Sequence, residues 1–194
     1  MKTRMLAVSL ALLFAPTVAA FAQNGNTWTI DPIHTQASFV VRHMSVSNVR
    51  GAISNINGTI TWDPKNPSND VVNTTLDAST VNTGSDLREK ELKGADFFNT
   101  AKFPTLTFKS TSVKKVGNKL KITGDLTLAG VTKTVTLDAD QPSAPQKGLQ
   151  GGLVSGLSAS TTVKRTDFNF GTKYPNAIVS DEIKITIDLE MVQK

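Results

Sequence analysis

At 194 residues and a formal charge of +5, the chain is long enough for one domain with a sizeable core, and its charge excess is too small and dispersed for a nucleic-acid surface. It contains no cysteine, which excludes disulfide stapling, thiol catalysis and thiolate metal sites, so packing must supply the stability.

The first residues read as an export signal. Lys2 and Arg4 give a basic start, Met5 to Phe14 an apolar core, and Ala20-Phe21-Ala22 a small-x-small cleavage site. A membrane-spanning helix needs about 20 apolar residues, and Pro16 interrupts a run that is already too short. Cleavage is expected after Ala22, with the site after Ala20 as the alternative, leaving 23–194 as a single exported domain. No later run is long enough to span a bilayer, so stable membrane insertion is not expected.

Alternation then recurs through the chain. Ala37, Phe39 and Val41 face one way and Gln36, Ser38 and Arg42 the other, which puts His43 in the inward phase near a strand end. Met44 to Val49 is expected to form a short helical turn. Gly58, Ile60 and Trp62 repeat the period before the Asp63-Pro64 turn, and Val72, Thr74, Leu76 and Ala78 repeat it after.

Asp86 to Glu89 breaks the period and looks like a helix start, with Asp86 at the cap, Glu89 three residues on and Gly94 as terminator. This helix should turn Leu87 and Ala95 toward the interior and close one mouth. Beyond it come three strands. Thr105–Val116 carries Phe108. Gly117-Asn118 then makes a tight hairpin into Leu120, Ile122, Gly124, Leu126 and Leu128, and Ala129-Gly130 turns into Val131, Val135, Leu137 and Ala139. Gln141 to Gly152 is a loop, and two further strands follow, one with Leu157, Ala159, Thr161 and Val163, the other with Ile183, Ile185, Ile187, Leu189 and Met191.

About eight strands result, each with one apolar face. Curling the sheet closed buries those faces together and removes exposed edges, so the expected fold is all-β, a closed antiparallel eight-stranded barrel with one or two short helices. A sandwich is the alternative on pattern alone.

Chemistry is sparse. His34 and His43 are nine apart, which along one strand puts them on opposite faces, and no His-x-His or His-Glu-x-x-His spacing occurs, so no metal is expected. Asp63, Asp77, Asp125 and Asp138 fall at turns or on wet faces, and no serine stands in a Gly-x-Ser-x-Gly elbow, so no enzyme activity is expected. Lys114, Lys115, Lys119 and Lys121 form a basic hairpin tip, either a solvated turn or a contact for anionic headgroups. Phe97, Phe98, Phe103, Phe108, Phe168 and Phe170 suit either a packed core or the lining of a ligand site, and the small residues Ala37, Gly58, Ala78, Gly124 and Ala159 would leave room between the large ones.

The blocks WTIDPIHTQASFVVRHMSVSNVRG, GADFFNTAKFPTLTFKST, ITGDLTLAGVTKTVTL, VKRTDFNFG and DEIKITIDLEMV resemble the YceI-like family of secreted lipid- and polyisoprenoid-binding proteins. The resemblance covers nearly the whole chain after the leader. It implies a lipocalin-like barrel in the periplasm that binds, and transports or stores, a long-chain amphiphile such as a polyisoprenoid, an isoprenoid quinone or a fatty-acid- or amide-like lipid. No cofactor is needed beyond that ligand, and a homodimer stays open.

The residues expected to line the site are Ala37, Phe39, Val41, His43, Ile60, Trp62, Leu76, Leu87, Phe97, Phe98, Phe108, Leu126, Leu128, Val135, Phe168 and Ile185. His43, Arg42, Arg50 and Glu91 are expected at the mouth, where they would meet a polar head. The family often has a histidine where this chain has Glu91, which bears on the head group that fits. The competing reading is a periplasmic stress or interaction protein with a filled barrel that acts through its surface.

Overall fold

Residues 27–149 and 151–193 are described in a computed structural model; the expected signal and its cleavage site lie outside them. Period-two patterning builds the walls. In the last strand Ile183, Ile185, Ile187 and Leu189 turn inward, while Lys184, Thr186 and Asp188 are exposed. The strands are β1 Thr27–Ile30, β2 Gln36–His43, β3 Ser47–Ile53, β4 Ile56–Thr61, β5 Val71–Asp77, β6 Thr105–Val116, β7 Lys119–Leu128, β8 Val131–Asp140, β9 Gln146–Lys147, β10 Leu153–Lys164 and β11 Glu182–Gln193. One α-helix, α1 Asp86–Leu92, lies between β5 and β6.

Eleven strands make eight staves. β1 and β2 lie end to end along β11, with Ile30 opposite Met191 and Ala37 opposite Ile187. Pro32 separates them, having no N–H to continue a ladder, and the Asp31 carboxylate accepts the Ile33 N–H at 2.9 Å. β3 and β4 share the next stave, broken at Asn55 (φ 55°). Then β5, β6, β7 and β8 follow by antiparallel pairing, and β10 with β11 closes the ring. The result is a closed eight-stranded antiparallel barrel, as the alternation predicts.

The joints are unequal. β10 and β11 pair over twelve residues and β7 and β8 over ten, but β8 meets β10 only at Ala139–Ala159 and Asp138–Ser160. The two-residue β9, in the segment read from sequence as loop, adds two pairs to β10 nearer one end.

That end carries the β6–β7 hairpin and is filled by two clusters, one around Trp28, Ile30 and Met191 and one around Val113, Leu120 and Ala139. At the opposite end, the mouth, a third cluster includes Val81, Phe97, Phe98, Phe168 and Phe170. The segment from Ala78 to α1 flanks the free edge of β3, where Ala52 and Asn82 exchange backbone hydrogen bonds at 2.8 and 2.9 Å.

Several local expectations need correction. Residues 44–49 are not helical: Met44, Ser45 and Val46 make a three-residue hairpin connection and β3 begins at Ser47. The cap of α1 is Ser85 rather than Asp86. Its side chain makes no capping bond; Glu89 instead reaches back to accept the Thr83 and Ser85 N–H groups at 2.7 and 3.3 Å, and those bonds hold its carboxyl below the usual range. Ala95 is exposed, and Leu92 takes the inward place assigned to Leu87. Ala78 is buried in the turn after β5. Gly58 and Gly124 do not leave room for a guest: a Cβ at Gly58 would come within 2.0 Å of the Asn73 carbonyl, and one at Gly124 would strike the Phe108 ring at 2.6 Å.

Candidate functional site

Between the end clusters the barrel encloses a lumen with a cavity of about 180 Å³. Of its 27 lining residues none is ionisable, and only Ser38, Thr74 and Thr161 are polar. The Thr161 hydroxyl donates to the Thr136 carbonyl at 2.9 Å and that of Ser38 to the Gln36 side chain at 3.3 Å, so these two are satisfied by the wall itself. Leu76, Leu126, Val135 and Ile185, at the strand centres, are only half-buried although they face inward. The middle of the barrel is less tightly packed than its ends.

Ten of the residues expected from sequence line this lumen: Ala37, Phe39, Ile60, Leu76, Phe98, Phe108, Leu126, Leu128, Val135 and Ile185. Val41, His43, Leu87 and Phe97 line instead a vestibule of about 360 Å³ between the β2–β3 hairpin, α1 and the chain around Tyr174–Val179. Phe39 and Leu92 belong to both linings and mark the neck between the two spaces. Leu87 stands at the rim, 81% exposed.

Trp62 and Phe168 reach neither space. β4 ends at Thr61, so Trp62 packs on Trp28 (ring centroids 6.1 Å apart) in the closed-end core, and Phe168 is buried in the mouth cluster. Ile53, Leu92 and Phe170 also line the lumen without having been expected there, as do Ile183, Ile187 and Leu189, whose phase with Ile185 was the available signal.

The vestibule holds the polar groups that the lumen lacks. Arg42 donates to the Asn48 side chain at 3.1 Å and to the Ser45 carbonyl at 2.5 Å, and Arg88 donates to the Thr83 hydroxyl and carbonyl, each at 3.0 Å. Glu91 accepts the Tyr174 hydroxyl, and this bond holds the phenol above its ordinary range. Tyr174 stacks on Phe97 (centroids 5.4 Å), and Lys173 pairs with Asp96, so with the Glu91–Tyr174 bond three side-chain ties link the α1 segment to the loop opposite.

That loop is organised by Arg165, 1% exposed, which sequence reasoning passed over. Its guanidinium donates to the backbone carbonyls of Phe170, Gly171, Tyr174, Val179 and Ser180 and to Asn176 Oδ1, at 2.6 to 3.2 Å. Five N–H donors in a rigid fork suit such a ring of carbonyls. Asp181 is held below the usual carboxylate range first by the Thr166 hydroxyl and further by the nearby Arg165 charge.

Among the described residues one His/Asp/Glu group has the spacing of a metal site: Asp31, His34 and Glu190, whose ligand atoms lie within 4.8 Å of one another. None of them lines the lumen. His34 Nδ1 lies 2.9 Å from Asp31 Oδ2, an ion pair that raises the imidazole and lowers the carboxyl and ties the β1–β2 turn to β11 through Glu190 at 3.5 Å. No helix among the described residues is long and apolar enough to cross a membrane.

A model of the YceI-like domain matches residues 28–191. The chain is 42% identical to Protein YceI of Salmonella newport (strain SL254) over 199 residues, covering all of both chains. It superposes on the crystal structure of Burkholderia cenocepacia BcnA with a TM-score of 0.74 at 26% identity, covering 83% of this chain and 98% of that one. A polyisoprenoid binding domain from Saccharophagus degradans gives a TM-score of 0.65 over 86% of this chain and 98% of that one, and at 16% identity this shows the shared fold alone. With the family model spanning the barrel from β1 to β11 and that relative aligned end to end, the chain belongs to the YceI-like family.

Proposed function

We propose that the protein is exported, starts at Gln23 once processed, and binds a long-chain amphiphile in the periplasm, where it carries or stores it. The occupants that fit are a polyisoprenoid, an isoprenoid quinone or a fatty-acid- or amide-like lipid. The observation that carries this reading is a lumen of 27 lining residues without an ionisable group, joined at its neck to a vestibule that has them. The neighbour from Saccharophagus degradans is a polyisoprenoid binding domain, but at 16% identity its likeness speaks for the barrel, and the ligand class rests on the lumen of this chain.

The size of the lumen bears on the tail. From Ile183 to Leu189 the lining runs six residues, about 20 Å along the strand, yet the cavity is about 180 Å³. Roughly 150 Å³ admits benzene, so this space as it stands takes a tail segment only slightly larger than that. Each buried methylene contributes about 0.8 kcal/mol, and a segment of about six would contribute about 5 kcal/mol before ordering costs. A polar head dragged into the lumen without partners would forfeit roughly 2–7 kcal/mol. The head therefore belongs in the vestibule with Arg42, His43, Arg88 and Glu91. A filled barrel acting through its surface is disfavoured by the half-buried strand centres, and catalysis by the lack of ionisable groups at the lumen.

Native mass spectrometry and organic extraction of the purified protein test this directly. One bound lipid per chain is expected. A protein that emerges empty and takes up neither a quinone nor a fatty amide would overturn the reading.

A further inference from the structure

The β2–β3 hairpin turns in an uncommon way. Val46 N–H donates to the His43 carbonyl at 3.0 Å, and both residues between, Met44 (φ 49°) and Ser45 (φ 57°), are left-handed. The bond closes a β-turn within a three-residue connection, and positive φ at both central positions of such a turn normally calls for Asn, Asp or Gly, because other side chains meet steric resistance there. Here the surroundings hold the strain: Arg42 grips the Ser45 carbonyl, and Met44 N–H donates to the Ile178 carbonyl at 2.8 Å.

The strained tip presents carbon to solvent. Met44 is 53% and Val46 80% exposed, with Ile178 beside them and Leu87 across the vestibule. Between residues 42 and 50 stand Arg42, His43 and Arg50 and no carboxylate, and Arg50 joins no ion pair among the described residues. Among the described residues the other exposed large apolar side chains, Ile33, Val71, Val116, Leu149 and Leu153, lie on segments away from this opening. The second basic hairpin is at the closed end, and its Lys119 and Lys121 pair with Asp140 and Asp138.

Apolar residues at a tip, cationic flanks and a strained turn thus coincide at the entrance to an apolar lumen. We propose that the mouth docks reversibly on an anionic bilayer surface, with Met44 and Val46 entering the interface and Arg42 and Arg50 meeting lipid phosphates. The inference rests on the lipid-binding reading above, since a water-insoluble tail must come from a bilayer or return to one. Burial of apolar area together with cationic attraction is the physics of interfacial anchoring.

Flotation with vesicles of phosphatidylcholine, alone or mixed with phosphatidylglycerol, tests it on the processed chain. Binding is expected only to the mixed vesicles and should weaken as salt rises. Met44→Ser with Val46→Ser should reduce it about tenfold or more, and Arg50→Gln about fivefold. Lys114→Gln with Lys115→Gln at the closed end should leave it unchanged. Met44→Asn with Ser45→Gly supplies the residue types that the turn favours, so the melting temperature should rise while vesicle binding falls; a hairpin with a merely structural role would show the rise without the fall. Absence of binding to mixed vesicles at low salt, or loss in the Lys114/Lys115 variant instead, would overturn the proposal. Uptake of a quinone added from solvent, measured without vesicles, keeps the two readings apart. Failure of that uptake sinks the lumen reading, whereas normal uptake with no flotation sinks the docking alone.

Discussion

At the closed end Trp28, Ile30 and Met191 are 3%, 2% and 0% exposed and form a core of carbon, whereas the most deeply buried large side chain at the mouth is a cation, Arg165. The first arrangement is non-directional: it resists loss of volume but sets no loop geometry. The second is directional, because one guanidinium fixes five backbone carbonyls between Phe170 and Ser180. The barrel is thus anchored by packing at one end and shaped by hydrogen bonds at the other, where a ligand would enter.

The sharpest way to break this contrast is Arg165→Met, which orphans those carbonyls and should cost about 4 kcal/mol in urea unfolding. Hydrogen exchange should accelerate over residues 165–181 and stay slow over Trp28–Ile30; a loss near zero would show that the loop holds itself. Met191→Ala probes the other end. It should cost about 3 kcal/mol through the cavity it leaves, with lipid loading unchanged well below the melting temperature. Equal damage to loading would mean that the ends are not independent.

Between the ends, Leu126→Gln places an amide in the lumen and should weaken every tail by about 2 kcal/mol. His43→Ala should alter preference among head groups and leave uptake of a headless hydrocarbon nearly unchanged. If that variant, shown by circular dichroism to be folded, lost the hydrocarbon as completely as a quinone, the separation of lumen from vestibule would fail.

The smallest effect concerns Asp70, near the closed end, whose carboxylate accepts the Asp63 N–H at 2.6 Å and is pushed by burial up to about 6. A folded value above the ordinary 3.8 means that the native state binds the proton more readily. Stability from this group is therefore lowest above pH 6 and recovers as pH falls toward 4. Asp70→Asn keeps the acceptor and removes the charge, so it should gain about 1 kcal/mol above pH 6, after allowance for solvent screening, and flatten the slope below it. Urea titrations on either side of pH 6 decide the matter.

The walls were legible in the sequence because a strand writes its two faces into alternate residues, and Phe39, Leu126 and Ile185 fell into the lumen by phase alone. Phase cannot say where a strand stops. Trp62 kept the rhythm of β4 but lies one residue past its end, and so joined the closed-end core. Nor can composition tell why a residue is small: Gly124 makes way for the ring of Phe108, not for a guest. Leu87 was assigned inward but stands exposed at the rim of the vestibule, and Leu92 at the end of α1 reaches the neck. Arg165 gave no signal, because all of its partners but Asn176 Oδ1 are backbone carbonyls, which no sequence spells out.

The sparse joint between β8 and β10 bears on what girth of guest the barrel accepts. Toward the mouth from Leu137, β8 has no ladder to β10, only the Thr161 hydroxyl on the Thr136 carbonyl. A hoop is weakest at its loosest joint: here only two rungs join β8 to β10, against twelve between β10 and β11. Were guests of different girth to bind, parting those two rungs would change the circumference on a single side and leave the other joints whole.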